Sequence, residues 1–410
     1  MIVFAEDFTA VDGTISARGG PGGGDGGFVE TSGLRRFSIT SAPDLSAPAG
    51  RPGLWLIDPF DIEISSAATD CPGDNAGCLN RAVEALLDPD FDDTGFDGIL
   101  RTVAPDDAVP APNRVDPELL ERALAAGTDI TLSTQTFGSD SGDEPGRITV
   151  VDGLSISTDE TLAGTRATLT LLAAHDILID DVIEVVPGSD PEARFELSVV
   201  LRANDLAQSG ASAQSFDLDA TEGGIRIAAD ISTGGGDFSA QGSFVSLESG
   251  RSIATDGGDI DLRSGLFDEN GSAVTIGRQA GDPGLADRMD PVARAPDLTI
   301  DGLLDSGCSG GCGSDESGGG ITLIASSIGV STTQQGDDPL ELVTGRLRVG
   351  PSGELRSDGG DIRLAGGRAT ETEGAPFAGS VEIAGPIDSG GGDVSVAAIR
   401  IDPEIGLSGF

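Results

Sequence analysis

One unit recurs along this chain and limits what it can fold into: an apolar residue, a small polar spacer, two or three glycines, an aspartate, and an apolar residue again. It reads ISTGGGDF from Ile231, IATDGGDI from Ile253, LRSDGGDI from Leu355 and IDSGGGDV from Ile387. Glycine gives the backbone the freedom a tight turn needs, and flanking apolar residues mark strands on either side. The turn glycines are therefore Gly235, Gly236, Gly257, Gly258, Gly359, Gly360, Gly391 and Gly392, and the same grammar appears early, where Gly26 and Gly27 precede Phe28 and Val29. Further short apolar runs, such as those at Ile148, Leu154, Leu169, Ile177, Leu197, Ile225, Ile321, Leu347, Ile362, Val381 and Val394, read as strands of the same kind.

A strand this short leaves its apolar face open unless a neighbour covers it. Stacking successive units ~4.8 Å apart closes a continuous apolar column, so the expected fold is all-β, a parallel β-helix or solenoid with a small helical insertion. Rungs of about 20 to 25 residues would make about 13 to 18 turns and a length of about 60 to 85 Å. A β-sandwich would use hairpins and more core aromatics, and aromatics are only 4% of this chain.

The chain divides into three segments. Residues 1–64 alternate with a period of two and read as the last rungs of an upstream helix and a transition strand. The only Trp, Trp55, lies there in the run Leu54–Ile57, which Asp58-Pro59 closes. The opening strand would leave an unpaired edge. Residues 65–128 change texture: a loop between Cys71 and Cys78, helical spacing at Leu79, Val83, Leu86 and Leu87, an Asp- and Pro-rich stretch over 88–112, and a second helix. Asp116 is its N-cap, Pro117 its first residue and Gly127 lies just past its end. Residues 129–410 are a degenerate-repeat stack interrupted by loops such as 281–295.

The strings GGFVETSG at 26–33, Leu54 to Ile64, Leu124 to Thr134 and Ala167 to Asp180, together with the glycine–aspartate turns, resemble filamentous-haemagglutinin-like exoproteins of two-partner secretion systems, in the region after their secretion domain. That resemblance implies a right-handed parallel β-helix displayed outside the cell. It also implies an outer-membrane transporter of the two-partner type for export, and a signal upstream of Met1. No catalytic residues come with it.

Composition narrows the partners. Asp plus Glu number 69 against 24 basic residues, all of them Arg, for a formal charge of −45. Such a surface repels phosphate backbones and anionic lipids, so neither nucleic-acid nor membrane-surface binding is expected, and with no run approaching ~18 apolar residues no membrane insertion is expected either. The four cysteines form two close pairs, Cys71 with Cys78 and Cys308 with Cys312, which fit local disulfides of an exported protein; free or metal-binding thiols are the alternative.

Chemistry is scarce. Without Lys there is no P-loop and no Schiff base, and without Tyr no phenolic acid. His175, the lone imidazole, reads as a turn residue satisfied by Asp176. The GxGxxG string at 22–27 runs into a strand rather than a helix, and the GxSxG string at 307–311 sits in a loop, so neither carries its usual chemistry. The turn aspartates Asp237, Asp259, Asp361 and Asp393 either cap their turns or line a cation edge, with calcium the candidate. The expected function is an adhesin rod or display stalk, not an enzyme, secreted or on the bacterial surface, with an unknown receptor or glycan as partner. The alternatives are a calcium-stabilised stalk, or a polysaccharide lyase or polygalacturonase-like enzyme using the pair Asp180-Asp181.

Overall fold

A computed structural model of the chain describes residues 1–5, 8–33, 36–59, 61–66, 113–134, 146–161, 165–190, 194–203, 223–265, 275–277, 297–308, 318–331, 341–368, 380–397 and 400–401. The chain is the expected parallel β-helix. Three sheets, here A, B and C, run along it with 13, 10 and 7 strands among the described residues, and from Asp129 onward the chain visits them in that order on each turn; in the first turns Phe8–Val11 and Arg36–Ile39 pair in a separate two-stranded sheet. Eleven strands of sheet A lie on one path from Ile2–Ala5 to Val394–Ala397, every pairing along it parallel.

Alternation within each strand decides the core. In Arg166–Ala173 every second residue is buried, so Ala167, Leu169, Leu171 and Ala173 face inward. Parallel register then places like on like: Val29, Trp55, Ile130, Leu169, Val199, Phe238, Ile260, Ile321 and Ile362 form one inward row. All of these are fully buried. In sheet B the row Ile62, Ile148, Ile177, Ile225, Val245, Leu298, Leu347 and Val381 does the same. Each such side chain stabilises by about 1.5 to 3 kcal/mol, so stability is spread along the column. Trp55 fits among smaller residues because its indole N–H donates to Thr31 Oγ1 at 2.8 Å.

The helix at Pro117–Ala125, here α1, forms as the sequence indicates. Asp116 caps it by accepting from the Glu118 amide at 3.0 Å, and Pro117 opens it. Gly127, with φ 77°, ends it, as the Gly127 amide reaches Leu124 O and the Thr128 amide reaches Ala123 O. The helix takes the place of a sheet C strand. Leu119, Leu120, Ala123 and Leu124 are buried, and Glu121 accepts the Ser155 amide at 2.7 Å, so α1 shields the first strand of sheet C, Leu154–Ser157, where it would otherwise be an open edge. Just before it, Asn113–Val115 returns to sheet B and pairs in parallel with Ile62–Ile64, on the side away from Ile148–Val150.

The rung count is lower than expected. Among the described residues eleven strands of sheet A lie on the stack, which at ~4.8 Å a rung is about 48 Å. At the glycine–aspartate corner one turn returns after 22 residues, Asp237 to Asp259, whereas the next, Asp259 to Gly320, takes 61. The expected helix at Leu79–Leu87, the stretch 88–112 and the loop 281–295 lie outside the described residues.

Candidate functional site

Each turn crosses three corners. Between B and C the chain is short in most turns, passing from Ile179 to Ile183 and from Ile227 to Ile231, but after Ile64 it returns to sheet B only at Asn113 before going on to α1. Between A and B it varies widely. It leaves at Ala173 and joins at Ile177, but it also leaves at Ala203 and joins at Ile225, and leaves at Ser264 and joins at Leu298.

The corner from C to A carries the glycine–aspartate turn, and its parts divide the work. A hydroxyl, buried except at Ser389, opens it: Thr233 Oγ1 donates to Gly236 O at 2.5 Å, Thr255 to Gly258 O at 2.5 Å, Ser357 to Gly360 O at 2.8 Å and Ser389 to Gly392 O at 2.6 Å. Ser306 makes the same bond to Gly319 O at 2.6 Å across a longer connection. The middle glycine takes a left-handed conformation, with φ of 115° at Gly235, 107° at Gly257, 95° at Gly359 and 120° at Gly391. The last glycine is needed for closeness instead. A methyl on Gly258 would strike the Gly236 carbonyl, one on Gly360 that of Gly319, and one on Gly392 that of Gly360. At Gly26 and Gly27 the reason is again close approach, to Leu45 and Gly53 and to Ala17.

The aspartate that ends the turn reaches to the next rung. Asp237 Oδ1 accepts the Asp259 amide at 2.9 Å, Asp259 Oδ1 the Gly320 amide at 2.7 Å, and Asp361 Oδ1 the Asp393 amide at 2.9 Å. Gly320 interrupts the carboxylate column. Among the described residues no group of three or more His, Cys, Asp or Glu side chains is gathered where it could hold a metal ion.

The same stapling recurs at other corners. Asp129 accepts the Thr168 amide at 2.8 Å, Asp230 the Ser252 amide at 2.8 Å, and Asp297 the Arg346 amide at 3.0 Å. The densest case is the A-to-B corner around His175. Asp61 accepts the Arg147 amide at 2.6 Å, and Asp176 accepts two buried amides, Gly223 at 2.8 Å and Gly224 at 3.0 Å. The other oxygen of Asp176 meets His175 Nδ1 at 3.1 Å and Arg147 at 3.3 Å. Burial pushes both carboxyls up. At Asp61 burial prevails over the Arg147 amide and charge, and the pKa is raised; at Asp176 the His175 contact, the Gly224 amide and Arg147 outweigh it, and the pKa is lowered. Burial likewise raises Asp129 above its ordinary value.

Asp180 and Asp181 are both engaged. Asp180 pairs with Arg226 at 2.7 Å, and Asp181 accepts the amides of Gly153 at 3.1 Å and Val182 at 2.8 Å. Arg226 also reaches Glu248 at 3.3 Å, and Arg348 bridges Asp301 at 3.4 Å and Glu382 at 3.8 Å, so arginines on sheet B tie corners of neighbouring turns. These pairs are part-exposed and contribute about 0 to 1 kcal/mol each. Cys308 is disulfide-bonded, and Cys71, Cys78 and Cys312 lie outside the described residues.

Charge is distributed unevenly. The eleven path strands of sheet A hold four carboxylates (Glu30, Asp129, Glu196, Asp261) against five arginines (Arg166, Arg202, Arg263, Arg363, Arg368). Sheet B holds Glu63 and Glu382 against Arg114, Arg226, Arg346, Arg348 and Arg400. In-register like charges on adjacent strands repel at ~4.8 Å, which explains the balance; the negative excess therefore resides off these two sheets. The hydroxyl that opens each turn was readable in the sequence as a Ser or Thr three positions before the last glycine, but its partner is visible only once the turn is closed. A shallow open depression where α1 meets the first rungs is lined by Arg18, Asp44, Arg122 and Glu160. No helix among the described residues is long and apolar enough to cross a membrane. No family model matches the chain, and no curated protein matches it.

Proposed function

We propose that this chain is the β-helical rod of a secreted, surface-exposed protein of the filamentous-haemagglutinin-like kind, working as an adhesin or as a stalk that displays another module. The observation that carries the reading is the division of labour among corners. Core rows, hydroxyls, glycines and aspartates maintain a regular parallel stack, while the A-to-B corner accepts connections of very different length without breaking register. In stacked repeats, insertions that fall on one edge commonly form the binding edge. The disulfide at Cys308 suits an oxidising compartment. Export would use an outer-membrane transporter of the two-partner type, and the partner would be a receptor or glycan on a neighbouring cell.

Expression in the native cell with surface labelling tests this. Accessibility of the chain to added protease on intact cells, together with binding of the purified chain to target cells, is the expected result. A chain confined to the cytoplasm with Cys308 reduced would overturn it.

A further inference from the structure

We propose that the outer face of sheet A is a self-association surface that joins two copies of this chain face to face. Four of the eight large apolar side chains exposed among the described residues stand on it: Ile2 at 65%, Phe4 at 52%, Phe28 at 41% and Leu54 at 38%. Phe28 and Leu54 are direct register partners, so they form a contiguous patch rather than scattered residues. In the row beside them Glu30 lies between Ile2 and Leu56, and beyond Leu56 the row runs through Thr131, Thr170 and Val200, all part-exposed and uncharged, while Asp129 follows Leu54.

Charge and area both point to a second copy as the occupant. The chain carries −45, yet the described side chains of this face carry four arginines, Arg166, Arg202, Arg263 and Arg363, against four carboxylates. Two copies approaching through their acidic corners repel; through this face they meet balanced charge. Eleven strands at ~4.8 Å, each about five residues of ~3.3 Å, make a face of about 50 by 17 Å, or roughly 850 Å². A stable dimer needs about 800 Å² per partner. Two such ladders share one period and pack as aligned sheets about 10 Å apart.

Net repulsion between the remaining surfaces makes association rise with salt, opposite to an interface held by ion pairs. The test is sedimentation velocity on the full chain from about 1 to 100 μM, in about 0.05 M and 0.5 M salt. A dimer that strengthens with salt is expected, and Phe28→Glu with Leu54→Glu should weaken it about hundredfold. Val151→Glu with Val186→Glu, at exposed apolar positions off this face, should leave it unchanged. If circular dichroism shows the first variant misfolded, Thr170→Arg with Val200→Arg, at the centre of the face, should give the same loss. A monomer at every concentration and salt, a dimer that survives the face variants, or one lost equally in the Val151 and Val186 variant would overturn the proposal.

Discussion

Replacing Asp176 should unfold the stack locally out of proportion to the size of the change. Its Oδ1 accepts the Gly223 and Gly224 amides at 2.8 and 3.0 Å, both bonds buried. In Asp176→Ala those two N–H groups lose their acceptor, at about 1 to 3 kcal/mol each, so a loss of about 2 to 6 kcal/mol is expected. Asp176→Asn keeps an acceptor for both amides but turns a donor toward Arg147 and His175, and should lose about 1 to 2 kcal/mol. The pH dependence has a definite sign. The folded pKa of Asp176 lies below its ordinary value of 3.8, so its contribution is complete above about pH 4 to 5 and is lost as pH falls through the folded value. Asp61 behaves oppositely. Burial raises its pKa above 3.8, so its ionisation opposes folding as pH rises from 3.8 through the folded value, and Asp61→Asn should leave stability at neutral pH unchanged or improved. Urea unfolding followed by far-ultraviolet circular dichroism, for all three variants at pH 7 and in acid, measures this. A loss below about 1 kcal/mol for Asp176→Ala, or equal losses for the two Asn variants, would refute the stapling argument.

Gly258→Ala should destabilise by about 2 to 4 kcal/mol, since a methyl there meets the Gly236 carbonyl. Gly250→Ala, with φ 76° but open space around it, should lose only about 1 to 2 kcal/mol, and the difference in urea midpoints is the readout. Thr255→Val should lose about 1 kcal/mol by removing the hydroxyl bonded to Gly258 O, while Thr255→Ser retains it. Added calcium should leave the thermal midpoint unchanged, because the corner aspartates Asp237, Asp259 and Asp361 already hold backbone amides. A gain of about 4 kcal/mol at a thousandfold excess over Kd would place a cation on that edge instead.

Most of the architecture could be read from local pattern. The strands at Ile148, Leu169, Ile177 and Ile225 appear where alternation placed them, and Asp116, Pro117 and Gly127 bound their helix as capping chemistry requires. Strands such as Ile183–Val186 and Leu298–Ile300 were not singled out, although they are no shorter than Ile177–Ile179 or Ile225–Ile227. The rung count could not be read, since strand spacing does not say which residues leave the stack. Inter-rung contacts were hidden for the same reason. Asp176 lies 47 residues from Gly223, and Arg226 lies 46 from Asp180, so only the register brings them together. The acidity, read as repulsion of anionic partners and, at the turn aspartates, as a possible cation edge, is partly structural: carboxylates at the corners satisfy amides of adjacent rungs.

The parallel register itself is open to direct measurement. Thr131, Thr170, Val200, Ser239, Asp261, Thr322, Arg363 and Ser395 form one outward row, each paired with the next. Spin labels on Thr131 paired in turn with Asp261, Arg363 and Ser395 should give electron–electron distances that lengthen by ~4.8 Å per strand, to about 19, 29 and 34 Å. Distances that fail to increase along the row, or that shorten for Ser395 as in a folded-back sheet, would contradict the stack.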